Sequence, residues 1–233
     1  MMVYENIYGY GCSHTAGTTH SMPNIPYLSH LATKLKIQNI FNRGTNSTGN
    51  KFNRANLITE YLNGNIKKNS FIIFQLTFYQ RSSFQFVHQS DIDKYPHPSL
   101  DGYWGTTGGL IHTLTGMFNK DDGWYDKSLD KFVNTYYERL SGEDYLMYDD
   151  IFSTYSILKL ISSEIENVNF LMIAWPEIKE PFDKFLPIEL SNISNWSYEN
   201  KFTENDEKNN GDYHLSEIGH ERLADEIFKY LNN

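Results

Sequence analysis

The stretch Asn6-Ile7-Tyr8-Gly9-Tyr10-Gly11-Cys12-Ser13-His14-Thr15 joins a short apolar strand to a tight turn that carries a serine. The strand is predicted at about residues 5–10, and its glycines allow the backbone to turn sharply after it. A serine hydroxyl becomes a good nucleophile only when a base removes its proton and its loop exposes it. Ser13 is therefore a candidate nucleophile, and the alternative is that it only caps a helix. Amide groups at the start of the following segment would stabilise a developing oxyanion.

A possible base lies at the other end of the chain, in the sequence Asp212-Tyr213-His214. These residues come directly before a helix predicted at residues 215–231, whose apolar stripe would dock on a sheet. The Asp212 carboxylate could orient the His214 ring and fix its tautomer, as a catalytic triad requires. The alternative is that Asp212 caps the helix beside a surface histidine. His220 lies inside this helix and is predicted to pack there.

Apolar runs alternate with helical patterns along the chain, which favours a parallel sheet with crossover helices. Strands are predicted at residues 5–10, 37–41, 70–77 and 169–175. Helices are predicted at residues 27–35, 51–62, 128–167 (with a break near 141–142) and 215–231. Residues 78–127 lack periodicity and are predicted to be an inserted loop or lid region that shapes a cleft, and residues 177–210 are expected to be irregular. No linker divides the chain, so we expect one domain over residues 1–233.

The bulk composition excludes several classes of function. The chain has 233 residues, enough to bury a core without a disulfide or a metal. Its net charge of −9 argues against a nucleic-acid partner. Cys12 is the single cysteine, which excludes an intramolecular disulfide and a cysteine-rich zinc site. Neither a signal peptide nor a membrane span is visible, so a cytoplasmic location is the default expectation.

The two ends of the chain resemble motifs of the SGNH (also called GDSL) hydrolase superfamily. Gly11-Cys12-Ser13-His14-Thr15 resembles the first block, Gly-Asp-Ser-x-Thr, with cysteine in the place of the aspartate. This resemblance implies that Ser13 is the nucleophile and that its backbone N–H contributes to the oxyanion hole. The fourth block is normally Asp-x-x-His, and Asp212-Tyr213-His214 is one residue shorter. The resemblance implies His214 as the base and Asp212 as its orienting carboxylate.

The second block of the superfamily reads roughly Asn-x-x-x-x-Gly. Residues 42–47, Asn-Arg-Gly-Thr-Asn-Ser, put Ser47 where the glycine of the oxyanion hole is expected. A backbone N–H survives a change of side chain, so the donor would be Ser47 or a neighbour such as Gly44.

The third block, usually Gly-x-Asn-Asp, follows the central strand. Here Thr77 falls where the oxyanion-hole asparagine is expected, and its hydroxyl could donate one hydrogen bond. Gln75, Tyr79 and Arg81 are alternative donors. Thr77 together with Arg81 resembles the third block of divergent members of the superfamily.

The resemblance implies a three-layer α/β/α sandwich, flavodoxin-like, with a short parallel sheet of about five strands. It also implies a serine esterase that acts on an O-acyl ester, such as an acetyl ester of carbohydrate, and needs no cofactor or metal. His14, Gln75, Arg81 and Trp175 are the candidate substrate-binding residues. Two alternatives stay open: an O-acyltransferase with the same serine and histidine, and a binding or structural protein that has lost the activity. The expected partner is a small-molecule or carbohydrate ester, with no nucleic acid and no membrane, and the oligomeric state is not predicted.

Overall fold

The computed structural model describes residues 4–17, 25–45, 48–77, 82–85, 110–113, 144–174, 194–197 and 215–232. The strands in these ranges are β1 (Asn6–Gly11), β2 (Asn39–Gly44), β3 (Ser70–Leu76), β4 (Ser82–Gln85), β5 (Leu110–Thr113), β6 (Val168–Ala174) and β7 (Ser194–Ser197). The helices are α1 (Ser13–Ala16), α2 (Tyr27–Leu35), α3 (Asn50–Leu62), α4 (Asp144–Glu164) and α5 (Glu217–Leu231).

Within the described part of the chain, five strands form one parallel sheet in the order β2-β1-β3-β6-β7. Numbered along the chain, this order is 2-1-3-4-5, the flavodoxin-like arrangement, so the predicted architecture is confirmed. Strands β4 and β5 pair antiparallel in a separate small sheet. Ligands bind to such sheets where the strand order reverses, which here is the carboxyl edge between β1 and β3.

Helices cover both faces of the large sheet and bury a separate apolar cluster on each. Alternate side chains of a strand point to opposite faces, so β1 and β3 contribute to both clusters. The cluster beneath α3 and α4 contains Tyr8, Tyr10, Leu57, Ile66, Ile72, Phe74, Leu76, Ile151, Leu158, Ile161, Val168, Phe170, Met172 and Ala174. The cluster beneath α2 and α5 contains Ile7, Tyr27, Leu28, Leu31, Ala32, Ile37, Phe71, Ile73, Leu171, Ile173, Leu215, Leu223, Ala224 and Ile227. The predicted three layers are thus confirmed.

Most predicted elements agree with the structure to within about two residues. Helix α2 has the predicted bounds, whereas β2 begins at Asn39 and runs on to Gly44, where the prediction ended at residue 41. Helix α4 lies inside the predicted 128–167 helix, and the rest of that range up to residue 143 is outside the described residues. Helix α5 begins at Glu217, because the hydroxyl of Ser216 accepts a hydrogen bond from the Gly219 N–H at 3.1 Å and caps it.

Two regions predicted to lack regular structure contain short strands. Strand β7 lies within residues 177–210, and it pairs with the last four residues of β6. Strands β4 and β5 lie within the 78–127 insertion and pair with each other. Among the described residues, no helix has both the length and the apolar character needed to cross a membrane.

Candidate active site

The parallel sheet brings Ser13, Gly44 and Thr77 to one edge. Strand β1 pairs in parallel with β2, Gly11 opposite Gly44, and with β3, Tyr10 opposite Phe74. Ser13 follows the end of β1, Gly44 ends β2, and Thr77 follows β3. Three of the sequence-predicted site residues therefore lie at the carboxyl edge of neighbouring strands, where the strand order reverses.

Ser13 opens the short helix α1, directly after an extended Cys12. The Ala16 N–H donates to the Cys12 carbonyl at 3.0 Å, and the Gly17 N–H donates to the Ser13 carbonyl at 2.9 Å. These bonds close a tight turn around Ser13, whose side chain is buried. The strand-to-helix turn predicted for the nucleophile is thus present.

Asn42 joins the end of β2 to the nucleophile turn. Its Nδ2 donates to the Thr15 carbonyl at 2.8 Å, and its Oδ1 accepts from the Gly44 N–H at 2.9 Å. The Gly44 N–H is therefore engaged inside the protein, which competes with its predicted role as an oxyanion donor. Thr45 adds another link, because its N–H donates to the Gly11 carbonyl at 2.9 Å.

Thr77 is fully buried, and each of its polar groups has a partner. Its N–H donates to Asn50 Oδ1 at 2.6 Å, and its carbonyl accepts from Asn50 Nδ2 at 2.9 Å. Its hydroxyl donates to the Thr48 carbonyl at 3.2 Å. A hydroxyl has one proton to donate, so this bond competes with the predicted oxyanion contact. That contact stays a prediction.

Gln75 lies on β3 and reaches the nucleophile turn from the neighbouring strand. Its side chain is fully buried. Its Oε1 accepts from the Thr15 hydroxyl at 2.5 Å, and its Nε2 lies 3.5 Å from Cys12 Sγ. These contacts are internal and hold the residues on either side of Ser13. The substrate-binding role of Gln75 stays a prediction.

His14 links the nucleophile turn to the segment that enters α5. Its Nδ1 accepts a hydrogen bond from the Leu215 N–H at 3.4 Å, and the imidazole is buried. An accepting Nδ1 carries no proton, so the ring proton of a neutral His14 is on Nε2. The contact spans 201 residues of chain and brings the two ends of the sequence together. A substrate contact of His14 is untested.

His220 is buried inside α5, as predicted. Its Nδ1 accepts from the Tyr27 N–H at 3.2 Å, and the two rings stack with their centroids 6.2 Å apart. His220 thus joins α5 to α2.

A buried polar network beside Thr77 was not predicted from the sequence. Asn50 Nδ2 also donates to Asp150 Oδ2 at 3.0 Å, and Arg54 Nη1 donates to Asp150 Oδ1 at 2.5 Å. Burial raises the pKa of the Asp150 carboxyl, although Arg54 acts in the opposite direction. The network ties β3 to α3 and α4. The only available signal was polar residues at helical spacing, which is also typical of an exposed helix face.

Several predicted site residues lie outside the described residues: Asp212, His214, Ser47, Tyr79, Arg81 and Trp175. Their roles remain predictions. In the described ranges, no group of three or more His, Cys, Asp or Glu residues could hold a metal ion.

Comparison with known proteins finds similar solved structures. No family model matches this sequence, and no curated protein matches it. A member of the lipolytic G-D-S-L family from Veillonella parvula is similar over 98% of this chain and 98% of its own, with a TM-score of 0.52 and 12% identity. A lipase from a goat rumen metagenome is similar over 96% of both chains, with a TM-score of 0.52 and 10% identity.

An acetyl xylan esterase from the rumen bacterium Butyrivibrio proteoclasticus has a TM-score of 0.51 and 16% identity. The likeness covers 99% of this chain and 64% of that one. At such identities the shared feature is the fold, and it extends over nearly all of this chain. We conclude that the chain has the fold of the SGNH (GDSL) hydrolases, with a divergent sequence.

Proposed function

We propose that the protein is a serine esterase of the SGNH type that cleaves O-acyl esters through an acyl-enzyme intermediate. The observation that carries this proposal is the hydrogen bond from the Leu215 N–H to His14 Nδ1. Leu215 follows His214 in the sequence, and His14 follows Ser13. Consecutive Cα atoms are about 3.8 Å apart, so the contact supports placing the proposed nucleophile and base near each other.

In the proposed reaction, Ser13 Oγ attacks the ester carbonyl while His214 removes the hydroxyl proton. His214 then gives this proton to the leaving alcohol, and the acyl group stays on Ser13. Water, activated by the same imidazole, attacks the acyl-enzyme and releases the acid. Asp212 orients His214 and stabilises the imidazolium that forms in each step.

The oxyanion would be stabilised by the Ser13 N–H and by amides near the end of β2. The Gly44 N–H and the Thr77 hydroxyl would have to leave their present acceptors to take part. Loss of one oxyanion donor costs about 2.7–4 kcal/mol of transition-state stabilisation. We therefore assign the remaining donation to the Ser47 backbone, and we expect a slower reaction than a complete oxyanion hole would give.

The substrate class we propose is small acyl esters, with acetyl esters of carbohydrate as the first to test. The fold likeness to an acetyl xylan esterase motivates this choice. Strands β3 and β6 end side by side, Leu76 opposite Ala174, and Trp175 is the next residue in the sequence. We propose that its aromatic ring contacts a sugar face.

A second candidate is a binding protein that keeps the fold without the reaction. The engaged Gly44 N–H and Thr77 hydroxyl favour it, because both predicted donors already have acceptors inside the protein.

A fluorophosphonate probe, which reacts with activated serines, separates the two candidates. We expect the wild type and the control Ser163→Ala to be labelled, since Ser163 is exposed and its hydroxyl donates to Leu160 within α4. Ser13→Ala and His214→Ala should not be labelled. Release of acetate from p-nitrophenyl acetate and from acetylated xylan should follow the same order. If Ser13→Ala is still labelled, Ser13 is not the nucleophile. An unlabelled and inactive wild type would favour the binding protein.

A further inference from the structure

We propose that a buried relay of hydrogen bonds sets the position of the nucleophile turn relative to the final helix. Its members are the positioning residues Gln75, Thr15, Tyr27 and His220. Its consequence for the rate rests on the proposed esterase function. The geometry itself stands on contacts among described residues.

The relay has three hydrogen bonds that link four elements, and the Tyr27 side chain joins the second bond, at its hydroxyl, to the third, at its backbone N–H. Gln75 on β3 accepts from the Thr15 hydroxyl on α1 at 2.5 Å, and Thr15 Oγ1 lies 3.3 Å from the Tyr27 hydroxyl on α2. The Tyr27 N–H then donates to His220 Nδ1 on α5 at 3.2 Å. All four residues are at most 1% exposed, so water does not compete for these bonds.

The proton positions along the relay follow from the chemistry of each group. Thr15 has one hydroxyl proton and donates it to Gln75, so Tyr27 must donate to Thr15. Burial raises the pKa of the Tyr27 hydroxyl well above its ordinary value, which keeps it protonated for this task. His220 accepts at Nδ1 and is therefore the tautomer with its proton on Nε2. Each bond thus has one direction. Loss of the Thr15 hydroxyl would remove both side-chain bonds, whereas loss of the Tyr27 hydroxyl would remove only the bond to Thr15.

Two members of the relay, Thr15 and His220, lie on the two elements that the proposed reaction must align. Thr15 lies two residues after Ser13 on the same short helix, and His220 lies six residues after His214. A nearby bond, from the Leu215 N–H to His14, depends on the same alignment of α1 and α5. A shift of about 1 Å far from the chemistry can cost about 100-fold in rate. The relay is therefore suited to fix the distance between nucleophile and base.

Tyr27→Phe tests the relay, because it removes one hydroxyl and keeps the ring that packs on His220. The matched control is Tyr8→Phe, whose hydroxyl donates to the Asn65 carbonyl at 2.8 Å on the opposite face of the sheet. We expect Tyr27→Phe to lower kcat about 10- to 100-fold with KM unchanged. Tyr8→Phe should lower Tm by about as much as Tyr27→Phe does, but it should keep the wild-type kcat.

Thr15 supplies a second pair of variants. Thr15→Val keeps the side-chain shape but removes the hydroxyl, and we expect it to lose kcat as Tyr27→Phe does. Thr15→Ser restores a hydroxyl and should recover most of the rate. Equal rates for Thr15→Val and Thr15→Ser, or equal losses for Tyr27→Phe and Tyr8→Phe, would overturn the proposal.

Hydrogen exchange tests the relay without relying on catalysis. In Tyr27→Phe, the Leu215 amide and the amides of Ala16 and Gly17 should exchange faster, whereas Tyr8→Phe should leave them as in the wild type. Unchanged exchange in Tyr27→Phe would overturn the relay even in an active esterase. Faster exchange in a protein without esterase activity would support the relay and contradict only the proposed function.

Discussion

Gly44 shows how closely the end of β2 approaches the nucleophile turn. A Cβ added at Gly44 would overlap the backbone of Ala16 and Thr15 in α1, and backbone cannot rotate away as a long side chain does. We expect Gly44→Ala to displace α1, to destabilise the fold by about 1–3 kcal/mol and to remove esterase activity. Urea denaturation and the probe-labelling rate would measure the two effects.

Gly64 provides the control for this substitution. It has a φ of +68°, and a Cβ added there would meet nothing within 4 Å. Gly64→Ala should therefore cost only the strain of a left-handed residue, about 1 kcal/mol, with labelling as in the wild type. Gly44→Ala behaving like Gly64→Ala would show that α1 can move without consequence.

The sequence predicted the turn at Ser13 because its signal was local. A strand, glycines and the start of a helix all lie within a few residues of Ser13. The contacts of Asn50 and Gln75 could not be predicted in the same way. Each works through partners that are 27 to 100 residues away for Asn50 and 60 to 63 residues away for Gln75.

At the scale of elements, Asn50 joins the start of α3 to the end of β3 and to α4. It pairs with both backbone groups of Thr77 and with the Asp150 carboxylate. Asn50→Ala would leave the buried N–H and carbonyl of Thr77 without these partners, while Asp150 keeps Arg54, and we expect a loss of about 2–4 kcal/mol in the free energy of unfolding. Urea denaturation would measure it.

Asn39→Ala is the matched control at an exposed position. Its amide donates to Asn6 Oδ1 at 3.0 Å, where water can replace it. The expected loss is about 0.5 kcal/mol. If both variants lost the same stability, the Asn50 network would contribute no more than a surface bond.

The bounds of an element differ from the prediction where strand pairing decides them. Hydropathy, on which the prediction depends, does not mark such bounds. Strand β2 continues through Asn42, Arg43 and Gly44 because the ladder with β1 continues opposite them. Strand β7, with the sequence Ser-Asn-Trp-Ser, has no apolar alternation, and it is a strand because β6 offers it an edge. Helix α2 was predicted correctly because its own apolar spacing marks both ends.

At the scale of the molecule, the sequence pattern predicted a parallel sheet, and the resemblance to the SGNH hydrolases implied its flavodoxin-like order. Apolar runs separated by helical patterns predict a parallel sheet, and parallel connections place the residues after β1 and β3 at one edge. The sequence could therefore predict that Ser13 and Thr77 lie at the same edge of the sheet. It could not predict that Thr77 and Gly44 already have internal partners, since those depend on side chains from other elements.

The buried tyrosines make the free energy of unfolding of the whole molecule fall at alkaline pH. Burial raises the pKa of Tyr10 and Tyr27 above the ordinary value of 10.0. The unfolded chain then loses its tyrosine protons first, so stability is fully present below pH 10 and falls as the pH rises above it. Each fully shifted tyrosine should remove about 1 kcal/mol between pH 10 and pH 11. Urea denaturation across this range would measure the slope.

Tyr10→Phe separates this titration from general alkaline damage. The Tyr10 hydroxyl donates to Glu60 Oε2 at 2.7 Å, so the variant should lose about 1.5–3 kcal/mol at pH 8. Between pH 10 and pH 11 it should lose about 1 kcal/mol less than the wild type, because one titrating group is gone. Its stability curve should therefore approach that of the wild type as the pH rises. Parallel curves for the two proteins would mean that the Tyr10 proton is not held by the fold.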